Sequence, residues 1–69
     1  MYIKRLKDLR EDNDFTQKYI AKLLGIDQRQ YSRYELGKYE IPIKHLITLC
    51  KLYNVTLDYI VGLNDKKNN

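Results

Sequence analysis

The sequence has few of the residues that stabilise small proteins through disulfides or that bind metal ions. It contains one cysteine, Cys50, one histidine, His45, one proline and no tryptophan. A single cysteine excludes an internal disulfide, which suits a reducing compartment. A single histidine has no partner for a histidine metal site, so we predict no bound metal and expect His45 to lie on the surface of the fourth predicted helix. We expect Cys50 to be a small buried hydrophobic residue.

Long apolar runs are also missing. The longest are a few residues, far below a membrane span. The start, Met1 to Arg5, continues into more charge and is unlike a secretory signal. The 69 residues allow one domain at most. We therefore expect a cytoplasmic protein.

Glycine is scarce, and the three glycines all stand where a helix is predicted to end: Gly25, Gly37 and Gly62. None belongs to a loop that could cradle phosphate groups. No nucleophile, base and orienting group come together in the sequence. We therefore predict neither an enzyme nor a cofactor.

Charge is present in modest excess. Thirteen basic and nine acidic residues give a net charge of +4 and a pI near 9.2. This excess is compatible with nucleic acid as a partner, but many proteins with other roles share it.

Apolar residues recur at helical spacing along the chain, and no stretch alternates with period two for long. The pattern predicts helices at about residues 2–12, from Thr16 to Gly25, from Asp27 to Leu36, from about 43 to Asn54, and from Thr56 to Gly62. The sequence therefore predicts an all-α, compact five-helix bundle over residues 1–63, followed by a flexible polar tail, 64–69.

The second and third predicted helices are joined by about three residues around Gly25. Such a short connection forces a large crossing angle, which is the geometry of a helix-turn-helix at about residues 16–36. Ala21 fits this interpretation because closely crossing helices need a small side chain at their contact.

The third helix has two unlike faces. At about 100° per residue, Gln28, Arg29, Ser32 and Arg33 share one sector, and Tyr31 and Tyr34 lie opposite, toward the core. Arg, Gln and Ser can hydrogen-bond the edges of DNA bases. Any surface helix can carry such residues, so a solvated face and a base-reading face both remain open; the place directly after the turn favours base reading.

Residues 15–42 read FTQKYIAKLLGIDQRQYSRYELGKYEIP, which resembles the lambda-repressor/Cro-like helix-turn-helix family, also called XRE-type. The later stretch LITLCKLYNVTLDYIVG resembles the last two helices of that family, with Cys50 where the family usually has alanine. One departure is Tyr31, where the family more often has isoleucine or valine. A ring there could alter how the recognition helix is tilted.

The resemblance implies specific roles. Gln28, Arg29, Ser32 and Arg33 match positions that read bases in the major groove. Gln17, Lys38 and Tyr39 match positions that contact DNA phosphates. Arg10 and Glu35 match a structural salt bridge between the first and third helices.

The resemblance also implies a sequence-specific, DNA-binding transcriptional regulator, with double-stranded operator DNA as its partner. We expect a repressor that binds a palindromic operator as a homodimer, in the bacterial cytoplasm or nucleoid. One alternative is a protein-interaction module, such as an antitoxin or a partner-controlled regulator. Leu57, Tyr59 and Val61 cannot all point inward in so short a helix, and those left exposed could bind a partner protein or equally form the homodimer. A nucleoid-type binder with little sequence preference is another alternative.

Overall fold

Five α-helices make up the structure, a computed structural model that describes residues 2–68. They are α1 (Lys4–Asp12), α2 (Gln17–Leu24), α3 (Gln28–Glu35), α4 (Ile43–Tyr53) and α5 (Leu57–Val61). No strand occurs among the described residues. The predicted all-α five-helix bundle is therefore confirmed, and the chain fits within 32 × 23 × 19 Å.

Side-chain caps begin three of the five helices. The side-chain oxygens of Thr16, Asp27 and Thr56 accept hydrogen bonds from backbone N–H groups in the first turns of α2, α3 and α5. These bonds satisfy donors that a helix start leaves without a partner. α2 and α5 end at left-handed glycines, and α4 ends at Asn54, which has a φ of 56°. The predicted starts and stops of these helices are confirmed.

The core is formed by one face of each helix. Ile3, Leu6 and Leu9 recur at helical spacing and are all buried. The other buried apolar residues are Ile20, Ala21, Tyr31, Tyr34, Leu46, Leu49, Val55 and Ile60. Leu24 and Cys50 are half-buried and pack against this cluster. Two of these buried residues, Tyr31 and Tyr34, belong to α3 and anchor that helix in the core.

His45 is a correction to the sequence interpretation, which had it on the surface of α4. Only 9% of the residue is exposed, and its ring lies 6.3 Å from the ring of Tyr34. The physical reason is spacing: His45 precedes the fully buried Leu49 by four residues, so both lie on one face of α4. Burial, and secondarily the charge of Lys44, lowers the pKa of His45.

Arg5 connects α1 to the chain that follows α5. Its guanidinium donates hydrogen bonds to the carbonyl oxygens of Tyr59 at 2.6 Å and Asn64 at 2.8 Å, and lies 4.0 Å from the centroid of the Tyr59 ring. The backbone N–H of Thr56 donates to the carbonyl oxygen of Lys67 at 2.9 Å. The predicted domain, 1–63, and the predicted flexible tail, 64–69, stay predictions. Met1, the first residue of that domain, and Asn69, the last residue of that tail, lie outside the described residues.

Among residues 2–68, none of the helices has both the length and the hydropathy of a membrane-spanning segment.

Candidate nucleic-acid interface

A three-residue turn joins α2 to α3. Gly25 has a φ of 71°, and the N–H of Ile26 donates to the carbonyl oxygen of Ala21 at 3.0 Å. Asp27 then accepts a hydrogen bond from the N–H of Arg29 at 2.7 Å and so begins α3. Ala21 is 2% exposed. The turn, the cap and this small buried side chain hold α2 and α3 as a helix-turn-helix.

The inward face of α3 carries Tyr31, Tyr34 and Glu35, all of them buried. Tyr31 is fully buried, so its ring fills the core instead of reaching past it. Its hydroxyl has no hydrogen-bond partner among the described residues. Burial first, and then the nearby Glu35 carboxylate, raises the pKa of Tyr31. The tyrosine therefore stays neutral, and its ring packs in the core beneath α3.

Glu35 joins three helices through one carboxylate. Arg10 in α1 donates two hydrogen bonds to Glu35, from Nε to Oε2 at 2.7 Å and from Nη2 to Oε1 at 3.1 Å. Gln17 in α2 donates its Nε2 hydrogen to the same Oε1 at 3.1 Å. The Arg10 side chain is 12% exposed and that of Glu35 is 3% exposed. Arg10 also donates to the carbonyl oxygen of Phe15 at 3.0 Å, which fixes the α1–α2 connection.

The protonation of Glu35 follows from these contacts. Burial alone would raise its pKa, but the hydrogen bond from Arg10, the neighbouring Tyr31 hydroxyl, the hydrogen bond from Gln17 and the charge of Arg10 together outweigh burial, and the pKa of Glu35 lies below its usual value. The hydrogen bond to Glu35 raises the pKa of Arg10 against the opposing effect of burial. Both groups are therefore charged at neutral pH, and the inward face of α3 is tied to α1 and α2 by a buried ion pair.

The outward face of α3 carries side chains that reach solvent. Gln28, Arg29 and Arg33 are exposed, and Ser32 is half-buried. The Arg29 side chain is 85% exposed, with its Nε 3.7 Å from Oδ1 of Asp27. Gln30, at the edge of the face, donates to the hydroxyl of Tyr34 at 2.9 Å. The structure thus brings the four sequence-predicted base-contacting residues to one side of α3, with Ser32 the most recessed.

The chain after α3 folds back along its last turn. Gly37 has a φ of 76°, and the N–H of Lys38 donates to the carbonyl oxygen of Arg33 at 3.0 Å. Lys38 and Tyr39 are exposed, and the ring centroid of Tyr39 lies 5.5 Å from Cζ of Arg33. Two of the three predicted phosphate-contacting residues therefore lie beside the outward face of α3.

Gln17, the third of them, is half-buried at the start of α2. One N–H of its amide is used by Glu35, which leaves the second N–H for an external acceptor. No group of three or more His, Cys, Asp or Glu side chains among residues 2–68 could hold a metal ion. What this surface offers is hydrogen-bond donors and positive charge on a helix, the combination that fits the major groove and its flanking phosphates.

Two contacts of this surface were missed from the sequence. Gln17 and Glu35 are 18 positions apart, and Arg33 and Tyr39 are separated by a turn. Helical periodicity relates residues three or four apart within one helix, so it carries no signal for either pair. The helix end predicted at Gly37 was the one available sign that residue 39 would return toward α3.

Known proteins resemble the chain over most of its length. A family model described as helix-turn-helix matches residues 6–60. The chain is 38% identical over 65 residues to the uncharacterised HTH-type transcriptional regulator YobD of Bacillus subtilis, covering 94% of this chain and 58% of YobD. It is 39% identical over 67 residues to the B. subtilis HTH-type transcriptional regulator ImmR, covering 94% of this chain and 53% of ImmR.

A third relative carries a different name. The chain is 36% identical over 59 residues to the antitoxin PezA of Streptococcus pneumoniae, covering 86% of this chain and 37% of PezA. This chain spans about half the length, or less, of these curated relatives. No solved structure matches it.

Proposed function

This chain belongs to the XRE-type helix-turn-helix family, and we propose that it is a sequence-specific DNA-binding transcriptional regulator that acts as a repressor. The observation that carries the proposal is the division of α3 into a buried face fixed by Tyr31, Tyr34 and Glu35 and an exposed face of Gln and Arg side chains. A helix held on one side and offering donors on the other can enter the major groove in a defined orientation.

In the proposed complex, α3 lies in the major groove. Arg33 and Arg29 can each donate two hydrogen bonds to guanine O6 and N7, and Gln28 can pair with adenine N6 and N7. Ser32, which is half-buried, is suited to a base that approaches the helix closely. These contacts would set the preferred sequence.

Contacts with the phosphates would set the register of the protein on the duplex. Lys38 and the hydroxyl of Tyr39 follow α3 directly, and Gln17 has its second amide N–H at the start of α2, where a helix N-terminus already favours anions. We propose these three as the phosphate contacts.

The proposed complex contains two copies of the chain on a palindromic operator. Their recognition helices would enter half-sites about one helical turn apart. Repression follows if the operator overlaps a promoter, because the bound dimer then excludes the polymerase. The proposed location is the bacterial cytoplasm, and no enzymatic activity is proposed, since these relatives bear the names of regulators or an antitoxin.

The test is selection of bound duplexes from a random pool at physiological salt, followed by sequencing. A palindrome with half-sites about one turn apart is the expected result. Arg33→Ala should change the selected sequence, whereas the matched control Lys51→Ala, which removes an exposed charge from α4, should not. DNA retained without any enriched sequence would contradict the proposal and favour a nucleoid-type binder.

A second candidate function is binding to a protein partner, as in an antitoxin. It is favoured by the similarity to PezA and by apolar side chains that reach solvent late in the chain: Leu57 is 37% exposed, and Tyr59 and Val61 are half-buried. On α4, Ile43 and Ile47 are 57% and 45% exposed. If the pool selection retains no DNA at all, this candidate replaces the first.

A further inference from the structure

Tyr39 has a ring face and a hydroxyl, and the two point to different roles. The hydroxyl is suited to a phosphate contact. The ring lies beside Arg33, with 5.5 Å between its centroid and Cζ of the guanidinium. This distance is within the range of a cation–π interaction, in which the electron-rich face of an aromatic ring attracts a cation.

The backbone places the ring there. Gly37 adopts a left-handed conformation, its N–H donates to the carbonyl oxygen of Tyr34 at 3.1 Å, and the N–H of Lys38 donates to that of Arg33 at 3.0 Å. These bonds close the end of α3 and turn the chain back over its last turn. A Cβ atom added to Gly37 would lie 3.0 Å from Cα of Tyr2, so the N-terminal segment packs closely against this turn. Tyr39 is therefore held next to Arg33 by a defined turn.

A free arginine side chain has several rotatable bonds, and ordering it is part of the cost of binding. A ring beside the guanidinium restricts the conformations of Arg33 before DNA arrives. The contact uses the cation's attraction to the ring face and leaves the N–H edge of the guanidinium available for a base.

We propose that Tyr39 is a positioning residue that pre-orders Arg33 and thereby strengthens discrimination at the one base pair that Arg33 reads. This inference rests on the proposed function, because it assigns a step in sequence recognition. It differs from a phosphate contact in its consequence: loss of a phosphate contact weakens all DNA sequences alike, whereas loss of a positioning residue weakens discrimination at one position.

The first experiment needs no DNA. The side-chain proton resonances of Arg33 are measured by NMR in the native chain and in the Tyr39→Ala and Tyr39→Phe variants. A ring held beside Arg33 shifts these resonances, so they should move in Tyr39→Ala and stay close to native in Tyr39→Phe. Unchanged resonances in Tyr39→Ala would overturn the inference. Tyr39 is 50% exposed, so both variants are expected to fold, and thermal unfolding checks this.

The second experiment measures discrimination. The selected duplex is compared with single-base-pair variants, and the Arg33→Ala variant identifies the base pair whose discrimination depends on Arg33. Tyr39→Ala should lower the ratio of affinities at that base pair about two- to fivefold, the size of an exposed cation–π contact. Tyr39→Phe should retain the ratio even if loss of the hydroxyl weakens every duplex. In the Arg33→Ala background, Tyr39→Ala should have no further effect on the ratio.

Equal weakening of all duplexes by Tyr39→Ala would overturn the inference and leave the proposed function intact, as would the same loss of discrimination in the Arg33→Ala background. A random pool from which no duplex is enriched would instead overturn the proposed function and this inference together. The two failures are therefore distinguishable.

Discussion

The two faces of α3 differ in burial and in contacts, although both belong to one helix of eight residues. On the inward face, Tyr31 is fully buried and Glu35 is bound by side chains from α1 and α2. On the outward face, Arg29 has an 85% exposed side chain whose nearest acidic oxygen is 3.7 Å away. The side chains of the inward face are held by contacts with the rest of the chain, whereas those of the outward face are available to a partner.

This contrast separates orientation from recognition. The inward contacts fix how α3 is tilted and rotated, so they matter equally for every DNA sequence. The outward side chains can vary without disturbing the core, since surface substitutions usually change stability by less than about 0.5 kcal/mol. Substitutions on the inward face should therefore change the stability of the free chain, and those on the outward face should change DNA binding alone.

The largest effect is expected from Arg10→Ala. The substitution leaves the buried Glu35 carboxylate with Gln17 as its remaining hydrogen-bond donor, and breaking a buried ion pair costs about 3–5 kcal/mol. A domain of this size has a stability on the order of 5 kcal/mol, so much of the free energy of unfolding should be lost. Urea unfolding in the absence of DNA measures it.

The matched control is the ion pair at the other end of α1. Lys4 and Asp8 lie 3.2 Å apart with 74% and 42% of their side chains exposed. Lys4→Ala should cost no more than about 0.5 kcal/mol, because exposed pairs are screened by water. Equal losses in the two variants would show that burial of Glu35 has no special weight.

A smaller effect of the same ion pair should appear as pH falls. The pKa of Glu35 is lower in the folded chain than its ordinary value of about 4.3. Its contribution to stability is therefore complete above that pH and is lost as pH falls through the lower pKa of the folded state. Unfolding free energies from pH 7 to pH 3 should fall more steeply in the native chain than in Glu35→Gln below about pH 4.3.

His45 is the control within the same titration. Its pKa is lowered in the folded chain, so the unfolded chain binds the proton first and stability begins to fall below about pH 6.5. This loss is common to the native chain and to Glu35→Gln, so it cancels in the difference between their free energies of unfolding. A difference that is flat across the acidic range would contradict the assignment to Glu35.

The contrast between the faces also explains how much could be predicted from the sequence. Helical spacing assigned Tyr31 and Tyr34 to the core and Gln28, Arg29 and Arg33 to solvent, because a helix repeats every 3.6 residues whatever surrounds it. Caps and left-handed residues likewise mark the ends of helices locally.

What lay beyond prediction depends on contacts between elements. His45 was misassigned although its four-residue spacing from Leu49 indicated the buried face of α4; what lay beyond prediction there is the neighbouring ring of Tyr34 from another helix. The bond between Gln17 and Glu35 requires α2 and α3 to be placed to within an ångström, which no local pattern specifies. Which outward side chains touch bases and which touch phosphates stays a prediction, since it depends on the docked duplex.

The next largest effect on the free energy of unfolding is expected at Gly37, in the turn between the end of α3 and Tyr39. Gly37→Ala should lower the free energy of unfolding by about 2–3 kcal/mol, because the left-handed backbone is strained for alanine and the new Cβ would meet Cα of Tyr2 at 3.0 Å. Gly25→Ala is the matched control: φ is 71° there, but nothing lies within 4 Å of the added Cβ. It should cost about 1 kcal/mol. Urea unfolding of both variants measures the difference, and equal losses would show that the N-terminal segment does not press on Gly37.

On the outward face, Arg33→Ala should weaken binding to the selected duplex by roughly 1–3 kcal/mol and relax discrimination at one base pair. The melting temperature of the free chain should stay unchanged, because Arg33 is exposed. Titration of labelled duplexes differing at single base pairs measures both quantities. Uniform weakening on all of them would make Arg33 a phosphate contact, and a lower melting temperature would mean that the two faces of α3 are not independent.

The smallest effects distinguish two kinds of phosphate contact at the border of the outward face. Lys38→Ala removes a charge, so it should weaken all sequences alike and lower the slope of log affinity against log salt by about 1. Gln17→Ala removes a neutral donor and should also weaken all sequences, by roughly 0.5–1.5 kcal/mol, but leave the slope unchanged. Affinities measured over a series of salt concentrations separate the two. Because Gln17 also binds Glu35, a lowered stability in Gln17→Ala would show that this residue belongs to both faces at once, inward through one amide hydrogen and outward through the other.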